Sequence, residues 1–167
     1  MTISSYLEDD HRRIERLLQN AMQPGDRFEP GTYQEFRGAL LRHIGIEEKI
    51  LFPAIRSAAG GNSIPGMEQL HLDHGALAAM LVPTPTAAIV SAIRSILERH
   101  NLIEEGTEGI YRRFEKLATR DEAGRVLVKL ESAPPVAMNP HVDNAIAADS
   151  MHAALARAGY SFILPAV

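Results

Sequence analysis

With no cysteine in 167 residues, any metal or acid–base chemistry of this chain falls to its seven histidines and its carboxylates. Two segments repeat one arrangement, His43-Ile44-Gly45-Ile46-Glu47-Glu48 and His100-Asn101-Leu102-Ile103-Glu104-Glu105. A histidine and a glutamate four residues apart on a helix share a face and can reach the same ion. His11 falls between Leu7 and Ile14, and His74 between Leu70 and Leu77, so both also lie on apolar stripes. Glutamate is seldom fully buried, and burying its charge unpaired is expensive. A metal gives two inward glutamates and four inward histidines one common explanation. Such donors suit iron, zinc or manganese and are too many for one tetrahedral zinc. They form a natural set for two ions, with the carboxylates bridging and two histidines on each. Taken singly, an inward histidine is usually a satisfied core residue and an HxxxE pair a surface attraction, so the conjunction carries the argument. Glu48 and Glu105 lie one position off the stripe and read as solvated carboxylates or additional ligands. Glu15, four residues after His11, reads as surface charge.

These stripes require helices. Periodicity predicts a first helix starting at Ser4 or Ser5, with Glu8 completing a capping box, and stopping at Pro24-Gly25. A second runs over about 30–56, a third over 66–81 and a fourth over about 86–118, and no stretch alternates as a strand. Four amphipathic helices with short connections describe an all-α, up-down-up-down four-helix bundle over residues 1–119. Residues 120–167 read as a C-terminal extension packed on the bundle. It holds a short helix capped by Asp121, an extended proline connector, and an alanine-rich helix over about 141–158 closed by Gly159.

A net charge of −4 with no basic patch argues against a nucleic-acid partner. No apolar run approaches the roughly 18 residues that span a bilayer. The N-terminus lacks the basic and apolar parts of a secretory signal, and with no cysteine this places the expected setting in the cytoplasm.

In order along the chain, Asp10-His11-Arg12-Arg13-Ile14, the segment from His43 through Glu47-Glu48 to Leu51-Phe52-Pro53, Asp73-His74-Gly75-Ala76-Leu77, and the segment from His100 to Glu104-Glu105 resemble the hemerythrin-like, or HHE cation-binding, domain family. The resemblance covers roughly residues 5 to 118. It implies a four-helix bundle holding two non-haem, carboxylate-bridged iron ions that bind dioxygen or a related small molecule. Carried over by position, His11 and His43 ligate one iron, His74 and His100 the other, and Glu47 and Glu104 bridge them. Oxygen-carrying hemerythrins have HxxxH on the third helix, where this chain has Leu70 four residues before His74. His71, at the i,i+3 spacing, is either a third histidine ligand or a neighbour packed beside the site. The last helix carries HxxxE rather than HxxxxD, so the pattern is similar to the bacterial HHE type.

Two classes of function fit these residues. One is a binding module that carries, stores or senses dioxygen, nitric oxide or iron. The other is a di-iron enzyme that reduces peroxide or nitric oxide, for which Tyr111 is the inward hydroxyl able to give a proton. The donor count leaves one position short of six on an iron, and Leu7, Ile14, Leu40 and Ile44 would line it. A ferritin-like di-metal bundle is a further reading. It uses Glu8-xx-His11 and Glu68-xx-His71 with Glu47 and Glu104 as lone carboxylates, and leaves His43, His74 and His100 without a partner.

Overall fold

The computed structural model describes residues 1–62 and 64–164, which are mostly helical. The first helix, α1 (Ile3–Ala21), starts earlier than the sequence suggests. Thr2 caps it: its hydroxyl accepts the Ser5 N–H at 3.1 Å while Ser5 Oγ accepts the Thr2 N–H at 2.9 Å. Glu8 is therefore free of capping and accepts from Arg112 at 3.1 Å. After α1 the chain forms a ladder too short for alternation to reveal, β1 (Met22–Gln23) against β2 (Arg27–Phe28). It turns at Gly25 and Asp26, whose φ angles are 75° and 56°.

The second predicted helix has three parts: α2 (Pro30–Ile46), a π-helical turn (Glu47–Leu51) and α3 (Phe52–Ala58). Pro53 supplies a cause. It has no N–H to give the Lys49 carbonyl, and its ring would strike that carbonyl in a regular helix. The turn before it is widened, and the Phe52 N–H reaches back five residues to the Glu47 carbonyl. α4 (Met67–Met80) follows, within a residue of the expected span at each end.

The predicted fourth helix is broken. α5 (Ala87–Glu105), capped by Thr86, ends at Gly106, and α6 (Ile110–Leu117) begins after Gly109. A Cβ at Gly109 would strike the Glu104 carbonyl oxygen, so this close approach needs glycine. In the extension, α7 (Arg120–Ser132) is capped by Thr119 with Glu122 rather than by Asp121. α8 (Ala145–Arg157), capped by Asn144, ends near Gly159 at φ 83°, the left-handed glycine expected there.

α1 packs on α2, α4 on α5 and α8, and α7 along α1 and the π-helical turn. Buried apolar side chains form two clusters. One contains Ile14, Leu18, Leu40, Leu77, Ile93 and, from α8, Met151 and Leu155. The other contains Ile3, Leu7, Leu51, Leu70, Phe114 and, from α7, Leu130. On α1, Leu7 belongs to one and Ile14 to the other, with His11 between them.

Candidate metal centre

Between the two apolar clusters lies a cage of six buried polar side chains. α1 supplies His11, α2 His43, the π-helical turn Glu47, α4 His74, and α5 both His100 and Glu104. Glu47 and Glu104 are 0 % exposed, a burial that charged carboxylates reach only with strong compensation. Glu47 Oε2 lies 3.4 Å from His43 Nε2 and 3.2 Å from His74 Nε2. Glu104 places Oε2 3.3 Å from His11 Nε2 and Oε1 3.1 Å from His100 Nε2. His11 and His43 bring their Nε2 atoms within 2.7 Å of each other. Two ligand groups result, each with its donor atoms within 4.8 Å of one another: His11, His43, Glu47 and Glu104, and Glu47, His74, His100 and Glu104. Both glutamates are common to both groups.

Among the described residues, Glu47 Oε2, His74 Nε2 and both Glu104 oxygens make no hydrogen bond although fully buried. Leaving a buried polar atom unpaired costs about 1–3 kcal/mol. Four such atoms converging on one spot fit a cation, which would satisfy them together. The other Glu47 oxygen is satisfied: Tyr111, at the start of α6, donates its hydroxyl to Oε1 at 2.5 Å and stands 3.4 Å from His11 Nε2. A cavity of about 30 Å³ adjoins the cage, with Ile14, Leu40, Ile44, Leu77 and Leu97 in its wall beside His11, His43 and His100. Leu7, expected in that wall, instead packs in the other cluster.

Every histidine of the cage also has an acidic partner on its outer nitrogen. Asp10 Oδ2 is 3.0 Å from His43 Nδ1, and Glu48 Oε1 is 2.7 Å from His74 Nδ1. Asp73 Oδ2 is 3.4 Å from His100 Nδ1, and Glu105 Oε1 is 2.5 Å from His11 Nδ1. Each acid sits next in sequence to a cage residue yet serves a histidine on another helix. Such carboxylates fix the tautomer and ring orientation of a ligating imidazole. From sequence alone Glu48 and Glu105 fall between solvated carboxylates and additional ligands, and Asp10 and Asp73 do not stand out. The signal was present in the Asp-His and Glu-Glu pairs themselves.

Charge balance within the cage is strongly coupled. Burial opposes a charged ring at His11, but Glu104 and Glu105 overcome it and hold its pKa at about 9. His100 is likewise raised to about 10, burial being outweighed by Glu104 and Asp73. Burial would lift Glu104, yet His100 and His11 hold it well below the usual carboxylate range. Asp10, despite burial, is brought down to about 2 by His43 and Arg13. Burial first, then the charges of Glu104 and Glu47, push the Tyr111 hydroxyl well above its ordinary value, so it remains a donor.

Of the two readings open for His71, ligand or neighbour, its geometry is that of the neighbour. Its side chain is 70 % exposed, and its Nδ1 lies 3.0 Å from Glu48 rather than at the cage. Three residues before His74 on a regular helix, its ring is rotated off the inward face. The ferritin-like arrangement does not form either, because Glu8 faces Arg112 and Arg12 and Glu68 is exposed with His71. Glu15 is a surface charge facing Arg94 at 3.3 Å.

Fold and donor set together define a helical protein with a buried site able to hold metal. The model of the hemerythrin HHE cation-binding domain matches residues 2–111, and the chain belongs to that family. No curated protein and no solved structure matches the chain. None of its described helices is long and apolar enough to cross a membrane.

Proposed function

We propose that the chain is a cytoplasmic non-haem di-iron protein that binds a small diatomic ligand, dioxygen or nitric oxide, as a carrier, sensor or iron store. In this reading α1, α2 with its π-helical turn, α4 and α5 form an up-down-up-down bundle. His11 and His43 hold one iron, His74 and His100 the other, and Glu47 and Glu104 are shared between them. The observation that carries the reading is the set of four buried polar atoms on Glu47, His74 and Glu104 that make no hydrogen bond, converging from three elements. When bound, the iron pair supplies redox-active positions to which a small ligand can add. The chain's own part is to orient four imidazoles through outer carboxylates and to wall the approach with Ile14, Leu40, Ile44 and Leu97. A space of about 30 Å³ suits a ligand of about two heavy atoms.

The enzymatic alternative, reduction of peroxide or nitric oxide, draws support from Tyr111. Its hydroxyl is a proton donor directly against Glu47. Iron analysis of reconstituted protein, followed by spectra with azide and nitric oxide, tests the main reading. Two irons per chain and a ligand-induced shift are expected. One iron, a clear preference for zinc in competition, or unchanged spectra in both redox states would sink it. Peroxide turnover that falls in Tyr111→Phe, with iron content unchanged, would favour the enzyme.

A further inference from the structure

We propose that Tyr160, in the C-terminal extension beyond the family match, positions His100 for metal by holding Asp73. The inference rests on the metal reading above. Asp73 is 1 % exposed and uses its two oxygens differently. Oδ2 faces His100 Nδ1 at 3.4 Å, while Oδ1 accepts the Tyr160 hydroxyl at 3.0 Å and the Gln69 amide at 2.7 Å. Gln69 in turn donates to the Ala158 carbonyl at 3.1 Å, so the extension holds Asp73 both directly and through Gln69.

The Tyr160 ring is itself fixed. The Arg99 guanidinium sits 5.4 Å from its centroid, and Phe162 stacks on it at 5.6 Å. Behind it, α8 seats Met151 and Leu155 in one of the two apolar clusters.

Comparison with the other aspartate shows why this grip matters. Asp10 meets His43 at 3.0 Å and is clamped by Arg13 at 2.7 Å, a cation that takes up part of its charge. Asp73 receives only neutral donors besides His100, its one ion-pair partner among the described residues. Its charge is therefore left to polarise the His100 N–H, across a looser contact whose geometry depends on how the carboxylate is rotated. Tyr160 and Gln69 set that rotation. The halves of the cage thus differ, and a segment outside the bundle makes the difference.

Tyr160→Phe tests this in the full chain, because it keeps the ring for Arg99 and Phe162 and removes only the donor. In metal-free protein the ¹⁵N and ¹H resonances of the His100 ring should move, while those of His11 and His43 stay. After iron loading, one of the two irons should pass to a competing chelator a few-fold faster. Asp73→Asn should show the larger loss, about 10–100-fold, usual for an outer carboxylate. A lower melting temperature with unmoved His100 resonances and wild-type iron retention would overturn the proposal, reducing Tyr160 to packing. A wild-type chain that takes up no iron would overturn the metal reading alone. The resonances, read without metal, would still decide Tyr160.

Discussion

Neighbouring glutamates on the π-helical turn and at the end of α5 do different work. Glu47 and Glu104 face the cage, Glu47 beside His43 and His74 and Glu104 beside His11 and His100, whereas Glu48 and Glu105 hold the outer nitrogens of His74 and His11. Glu47→Ala and Glu104→Ala should abolish the paired centre, since a shared ligand and its charge both go. Glu48→Ala and Glu105→Ala should keep two irons but weaken binding by about 10–100-fold. Iron content and chelator competition read both effects, and loss of iron only in the second pair would reverse the assignment. The six inward residues were legible because helical spacing tells which face a side chain is on. Their outer partners were not, because Asp10 serves His43 and Asp73 serves His100 across helices. Spacing within one helix says nothing of what faces it. His71 shows the same limit from the other side: close to His74 in sequence, it lies on the exposed face.

At the scale of elements, periodicity carried the helices and their order but not their interruptions. The apolar stripe resumes at Tyr111 and Phe114 after 106–109, so the period passes over a break that the fold uses. After that break α6 begins, and its Tyr111 hydroxyl stands against Glu47. Gly109→Ala should push the backbone away from the Glu104 carbonyl, draw Tyr111 off Glu47 and destabilise the chain by on the order of 2 kcal/mol. Denaturant unfolding and the spectrum of the iron-loaded protein measure the two consequences. An unchanged spectrum would show that Tyr111 does not depend on the turn. The π-helical turn was legible only in hindsight, through Pro53. The start of α1 lies two or three residues before the expected one because Thr2, Ser4 and Ser5 all offer hydroxyls there, and burial of Ile3 and Ser4 decides for Thr2; the start at Thr86 lies where the period puts it.

For the whole molecule, the charge balance of the cage sets the response to pH when no metal is bound. His11 and His100 are raised in the folded chain to about 9 and about 10, against an unfolded value near 6.5. A raised group stabilises fully below its unfolded pKa and loses that contribution as pH climbs through the folded one. The melting temperature of chelator-treated protein should therefore fall between pH 7 and pH 10. Asp10 acts oppositely: its contribution is present above about 3.8 and is lost as pH falls through about 2. A flat profile between pH 7 and pH 10 would remove the cage histidines from this role.

The two apolar clusters, separated at the level of His11 by the cage, bear on cooperativity. Each cluster has its own supply of large side chains and its own piece of the C-terminal extension. A bound cation would tie donors from α1, α2, α4 and α5 at the joint, so that neither half could open without breaking its coordination. Metal-free, the same joint is a layer of coupled charges that repays less for staying closed. Calorimetry should show one sharp transition in the loaded protein and a broadened or double one after metal removal, with amide exchange protection diverging between the halves. Identical single transitions would mean that the helices alone make the chain one unit. Otherwise metal loading decides whether the molecule unfolds as one cooperative body or two.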